Sequence, residues 1–110
     1  MAEKFILAQK IYDLILHQQA VLNHFPKSEK FALTSQIKNC LYDLYKAVIR
    51  ANKSRNKIPI YYDADIILEQ YRMLIRLAHD MRYISNQKYK YIFEMVSEIG
   101  RIIGGMIKSG

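Results

Sequence analysis

One cysteine, Cys40, stands in 110 residues. No disulfide can close within the chain, and the expected setting is a reducing cytoplasm, with the thiol buried as a small hydrophobe. Tryptophan is absent, and two prolines and four glycines leave few interruptions, so long continuous elements are expected. Long apolar runs are also missing. The run Phe5 to Ala8 breaks at Gln9 and Lys10, short of the roughly 7–15 residues of a signal peptide and the roughly 20 of a membrane helix. No membrane segment is expected. Acid is the last thing lacking, and only locally: residues 46–57 hold Lys46, Arg50, Lys53, Arg55 and Lys57 with no Asp or Glu among them.

What is present describes a folded domain. Apolar residues make up 51% and charged residues 25%, which excludes a disordered tail, and the length suits one domain over 1–110 that buries a single core without metal or disulfide. The net charge is +7, and five of the seven excess charges fall in the acid-free segment. A concentrated basic excess argues for an anionic partner where a diffuse one would argue only for solubility.

The apolar spacing is helical nearly throughout. A first helix runs from about Glu3 to Leu22, with Ala8, Ile11, Ile15 and Leu22 along one face, and Phe25-Pro26 ends it. Ser28 is the expected N-cap of a second helix whose buried stripe is Ile37, Leu41, Leu44 and Val48. Ile58-Pro59 marks the next break. Asp63 would cap a third helix with Ile67, Tyr71, Leu74, Ala78 and Met81 inside. Ser85 would cap a fourth, continued by Ile92, Val96, Ile99, Ile103 and Met106. The expected fold is all-α, an antiparallel up-and-down four-helix bundle.

Gly100 and Gly104 lie four apart in the last helix, where each costs about 1 kcal/mol relative to alanine. Either the helix ends near Gly104-Gly105, or the glycines admit another helix closely, from this chain or from a neighbouring subunit. Apolar residues beyond them favour close packing.

If the second helix continues through the basic segment, Lys46, Arg50, Lys53 and Lys57 fall at i, i+4, i+7 and i+11 on one face. Arg72 and Arg76 sit one turn apart on the third helix. Such rows repel unless an anion neutralises them, and phosphate backbones supply one, although a charge run is more commonly a solvated face. Tyr61, Tyr62, Tyr83, Tyr89 and Tyr91 lie beside these cations near helix ends. Stacking on single-stranded bases is one use; half-buried rings at the bundle rim are the commoner one.

Arg72 and His79, with six residues between them, resemble the Arg-to-His motif of HEPN ribonucleases, in which the pair would bind phosphate and move protons. Met73 stands where that family usually has a polar residue. His17 and His24 are seven apart with no companion ligands at metal spacing, so no metal and no cofactor are expected.

Three segments, HFPKSEKFALTSQI (His24–Ile37), RLAHDMRYIS (Arg76–Ser85) and EIGRIIGGM (Glu98–Met106), together resemble the accessory variability proteins (Avd) of diversity-generating retroelements. These belong to a wider four-helix-bundle family that includes proteins encoded in ribosomal-RNA intervening sequences. The resemblance implies a basic homo-oligomer, a pentameric barrel. It would bind a reverse transcriptase and its template RNA, and possibly DNA, in support of mutagenic copying, and would not itself be a catalyst. It also implies that Arg72, Arg76, Arg82 and Arg101 face the partner or RNA. A HEPN-type ribonuclease and a stand-alone bundle are the alternatives.

Overall fold

The computed structural model describes residues 2–109, with side chains placed for 5–109. Among these residues four α-helices follow in order: α1 (Ala2–Leu22), α2 (Leu33–Lys53), α3 (Ile58–Asp80) and α4 (Asn86–Ser109), with one 3-10 turn at Lys27–Glu29. Helices of this length span about 32–36 Å at 1.5 Å per residue. The α2–α3 link is residues 54–57 and the α3–α4 link residues 81–85. At about 3.4 Å per residue neither can run the length of a helix, so each reverses the chain. The α1–α2 link sits at the same end as the α3–α4 link, because the Tyr83 hydroxyl donates to Glu29 Oε2 at 2.8 Å and the Phe25 and Tyr83 rings lie 5.4 Å apart. Each of α1 and α3 packs against both α2 and α4. The helices therefore form a square, α1 diagonal to α3, with alternating direction.

The α2 stripe, Ile37, Leu41, Leu44 and Val48, is fully buried, as expected, with Leu33, Ala47 and Ala51 extending it. At roughly 1.5–3 kcal/mol for each large aliphatic side chain, this stripe is a principal source of stability. On α4, Ile92, Val96, Ile99 and Ile103 are likewise buried, while Met106 is half-buried. The face of α1 is rotated in part from expectation: Ile11 and Leu22 are buried as expected, Leu7, Leu14, Gln18 and Val21 join them inside, and Ala8 and Ile15 lie at the edge. On α3 the inward set is Tyr61, Ala64, Leu68, Tyr71, Ile75 and Ala78; Ile67 and Leu74 flank it, and Met81 lies exposed. One polar pair crosses the core on the diagonal, where the Tyr71 hydroxyl donates to Gln18 Oε1 at 2.9 Å.

The helix boundaries correct several expectations. Ser28 lies in the 3-10 turn and does not cap α2, which begins at Leu33. Glu29 serves that end instead, its Oε1 accepting from Leu33 N at 3.5 Å. Pro59 does not break the chain; it occupies the first turn of α3, where a missing N–H costs nothing, so Asp63 lies inside the helix. Ser85 does cap α4, its Oγ accepting from Lys88 N at 3.2 Å. Helix α4 runs through Gly104 and Gly105 to Ser109, so the glycines do not end it.

Candidate nucleic-acid interface

Helix α2 does not reach Lys57. Ser54 turns to extended backbone (φ −103°, ψ 150°), and its Oγ donates to Arg50 O at 2.7 Å. Lys46, Arg50 and Lys53 remain one face of α2 and are exposed. Arg50 and Lys53 occupy the last turn, where the negative end of the helix dipole favours cations. Arg55 is exposed in the link, and Lys57, half-buried, opens α3. The five cations thus gather around a sharp turn rather than lining one straight face. Among the described residues none of them forms an ion pair. An unneutralised cluster held on a rigid turn is suited to multidentate anions such as a phosphate backbone.

Tyr61, expected at the rim, is buried in the first turns of α3, and its hydroxyl donates to Asn52 Oδ1 at 3.2 Å. It latches α3 to the end of α2 and so fixes the basic turn; burial pushes its pKa up. Tyr62 beside it is 54% exposed.

Arg72, Arg76 and Arg82 do not join this cluster. They lie toward the far end of α3, and Arg82 is about 38 Å along the helix from Lys57. Arg72 donates to Glu69 Oε1 at 3.0 Å and crosses Gly100 on α4, where an added Cβ would come within 2.7 Å of its Nη2. Gly100 therefore admits a guanidinium of its own chain. A Cβ added at Gly104 or Gly105 would meet no side chain or neighbouring helix within 4 Å among the described residues. Arg72 and Arg76 line a groove of about 360 Å³ between α3 and α4, with Glu69, Met73, Tyr89 and Phe93. Arg76 lies 3.8 Å from Asp80. Arg101 is exposed on α4, beside Glu98, whose carboxyl is held below its ordinary pKa by a hydrogen bond from Lys10 and by the Lys10 and Arg101 charges.

The Arg72–His79 pair does not converge. Two helical turns, about 10.5 Å, separate them along α3. The His79 ring stacks on Tyr89 at 4.3 Å and 19°, its Nε2 lies 2.6 Å from Asn86 Oδ1, and its Nδ1 lies 3.3 Å from Asp80 Oδ1. His79 is absent from the lining of the groove that holds Arg72. Nε2 and the stacked ring tie α3 to the start of α4, while Nδ1 faces Asp80 of α3 itself, an arrangement that positions a turn.

Sequence patterns did not disclose two surface features. Phe5, Tyr12 and Leu16 on α1 and Ile66, Met73 and Leu77 on α3 are exposed apolar rows, each at i, i+7, i+11. Phe31, in the α1–α2 link, is 91% exposed. No helix among the described residues is long and apolar enough to cross a membrane.

No curated protein matches the chain. A family model described as bAvd-like matches residues 5–110, a span that contains all three segments carrying the resemblance, the basic turn and both apolar rows. The chain belongs to the bAvd-like family.

Proposed function

We propose that this protein is a non-catalytic, basic accessory subunit of a diversity-generating retroelement, one that binds the reverse transcriptase and its template RNA in the cytoplasm and supports mutagenic copying. The observation that carries this is the unpaired cationic turn of Lys46, Arg50, Lys53, Arg55 and Lys57 in a member of the bAvd-like family. Phosphate contacts of this kind hold RNA or DNA without reading bases. Such a role suits a subunit that delivers nucleic acid to a polymerase. Arg72, Arg76, Arg82 and Arg101, spread over other surfaces, are proposed to face the polymerase or RNA beyond the turn. His79, stacked on Tyr89 and bonded to Asn86, is held in a turn-positioning role, which argues against the ribonuclease alternative.

Assembly is the second part of the proposal. The rows Phe5–Tyr12–Leu16 and Ile66–Met73–Leu77 lie on diagonal helices, so they face opposite sides of the bundle. Two different patches on opposite sides, each complementary to the other, make head-to-tail contacts, which can close into rings. The proposed ring is the pentamer that the family resemblance implies.

Replacing Arg50 and Lys53 together with glutamine tests the basic turn. Both are exposed, so stability should change by no more than about 0.5 kcal/mol for each. The expected result is weaker binding to all RNA and DNA sequences alike. The slope of log affinity against log salt should flatten by roughly 0.7–0.9 for each phosphate that is no longer neutralised. A folded double variant with unchanged affinity and slope would return the turn to a solvated surface.

A further inference from the structure

The end of the bundle opposite the basic turn carries two side chains that the core does not use. Phe31 is 91% exposed, although an aromatic ring is ordinarily among the most profitably buried side chains. Arg82 has φ 68°, the only non-glycine positive φ among the described residues. It follows the α3 C-cap, where Arg82 N donates to His79 O and Tyr83 N to Ala78 O, both at 2.9 Å. That paired closure places a left-handed residue where glycine is unstrained. An arginine at such a position carries a backbone cost that its side chain can offset only through a contact of its own.

The two features share one surface. Glu29, two residues before Phe31, is bonded to Tyr83, the neighbour of Arg82, and the Phe25–Tyr83 ring contact holds the same two links together. Lys30 Nζ lies 5.5 Å from the Phe31 ring centroid, and Lys27 and Arg82 are exposed in the two links that the Glu29–Tyr83 bond holds together. Of the acids at this end, Asp80 is paired with Arg76, while Glu29 accepts from Tyr83 and Leu33 N and keeps its charge. Phe31 thus offers an exposed ring, with Lys30 over one face, in a setting of three cations and one carboxylate.

We propose that this end is a second nucleic-acid surface, selective for single strands, on which an unpaired base stacks on Phe31 while Lys27, Lys30 and Arg82 hold the flanking phosphates. Aromatic faces interleaved with cations bind single strands without sequence preference, because every unpaired base offers a π-face. A duplex keeps its faces stacked internally. A membrane surface would need a broader apolar face than one phenylalanine supplies. The inference rests on the nucleic-acid-binding role proposed above but concerns a different end of the molecule, about one helix length, ~35 Å, from the basic turn. One chain would then grip backbone of either form at one end and an unpaired segment at the other.

The test is fluorescence anisotropy of the full chain with a single-stranded RNA of about 15 nucleotides and with the matching duplex. Phe31→Ala should weaken single-strand binding about tenfold and leave duplex binding unchanged, and Phe31→Trp should restore the loss. Arg82→Gly should raise the melting temperature and still weaken single-strand binding. Its gain in stability shows that the weaker binding does not come from a damaged fold. Tight single-strand binding that Phe31→Ala leaves unchanged overturns this surface alone. So does Phe31-dependent binding to phosphatidylserine vesicles or to a polyglutamate peptide without Phe31-dependent RNA binding. Wild-type protein that binds neither RNA form overturns the nucleic-acid role and this surface with it.

Discussion

At the scale of single residues, burial decides which polar groups the fold holds neutral. Burial pushes the Cys40 thiol up to about 11, and its Sγ lies 3.5 Å from Ile67 O, so it behaves as the small hydrophobe its isolation in the sequence suggested. His17 packs edge-on against Tyr91 at 4.8 Å, and its Nε2 is enclosed without a hydrogen-bond partner among the described residues. Burial first, then the Lys88 charge, lower its pKa from 6.5. The folded chain therefore prefers neutral imidazole, while the unfolded chain takes up a proton more readily. The stability from neutral His17 is full above pH 6.5 and is lost as pH falls through the lowered folded value. Melting temperature should fall in the wild type as pH drops below 6.5, and His17→Gln should flatten that part of the curve. Parallel curves for the two proteins would mean that His17 is not the group responsible. The state of His17 is not legible in the sequence, because a histidine on an amphipathic helix does not reveal how deeply it sits.

At the scale of elements, legibility follows amphipathic contrast. On α2 the apolar positions stand out from polar neighbours, and all four stripe residues are buried as the spacing predicts. On α1 the pattern is apolar on two sides, with Phe5, Tyr12 and Leu16 exposed and Leu7, Ile11 and Leu14 buried. Spacing alone cannot choose between the faces, and the buried Gln18 obscures the true one. Pro59 is ambiguous for a different reason: proline both ends helices and begins them, and the short 54–57 link settles which applies. The same link takes Lys57 off α2, so the cationic cluster is legible as a group but not as a turn. In α4 the glycines separate by role. Gly100 makes room for Arg72, whereas Gly104 faces open space. Gly104→Ala should therefore stabilise the isolated chain by about 1 kcal/mol, or roughly 4–8 °C in melting temperature. The check is thermal unfolding under conditions that keep the chain monomeric. No gain there would mean that the helix at Gly104 is held by something other than its own propensity.

At the scale of the whole molecule, the exposed apolar rows set a geometric expectation. A monomer has no use for Tyr12 and Leu16 on one side and Ile66, Met73 and Leu77 on the other, each roughly half or more exposed. Exposed apolar side chains aligned along a helix in this way are suited to an interaction surface. Because the two rows sit on diagonal helices, a twofold dimer would pair one row with itself and leave the other open. A head-to-tail ring buries both on every subunit. Light scattering at micromolar concentration should report a single closed species, with five chains expected. Leu16→Glu and Met73→Glu lie outside the core, so each should leave helix content intact by circular dichroism. Each should also dissociate the ring, since every contact in it uses one copy of each row. In a twofold dimer only one of the two variants would dissociate the assembly. Mixing the variants distinguishes the cases further: a Leu16→Glu chain keeps an intact α3 row and a Met73→Glu chain an intact α1 row. The mixture should therefore form one heterologous contact and stop at a dimer. Larger rings from the mixture, or a wild-type monomer throughout the concentration range, would rule out this assembly.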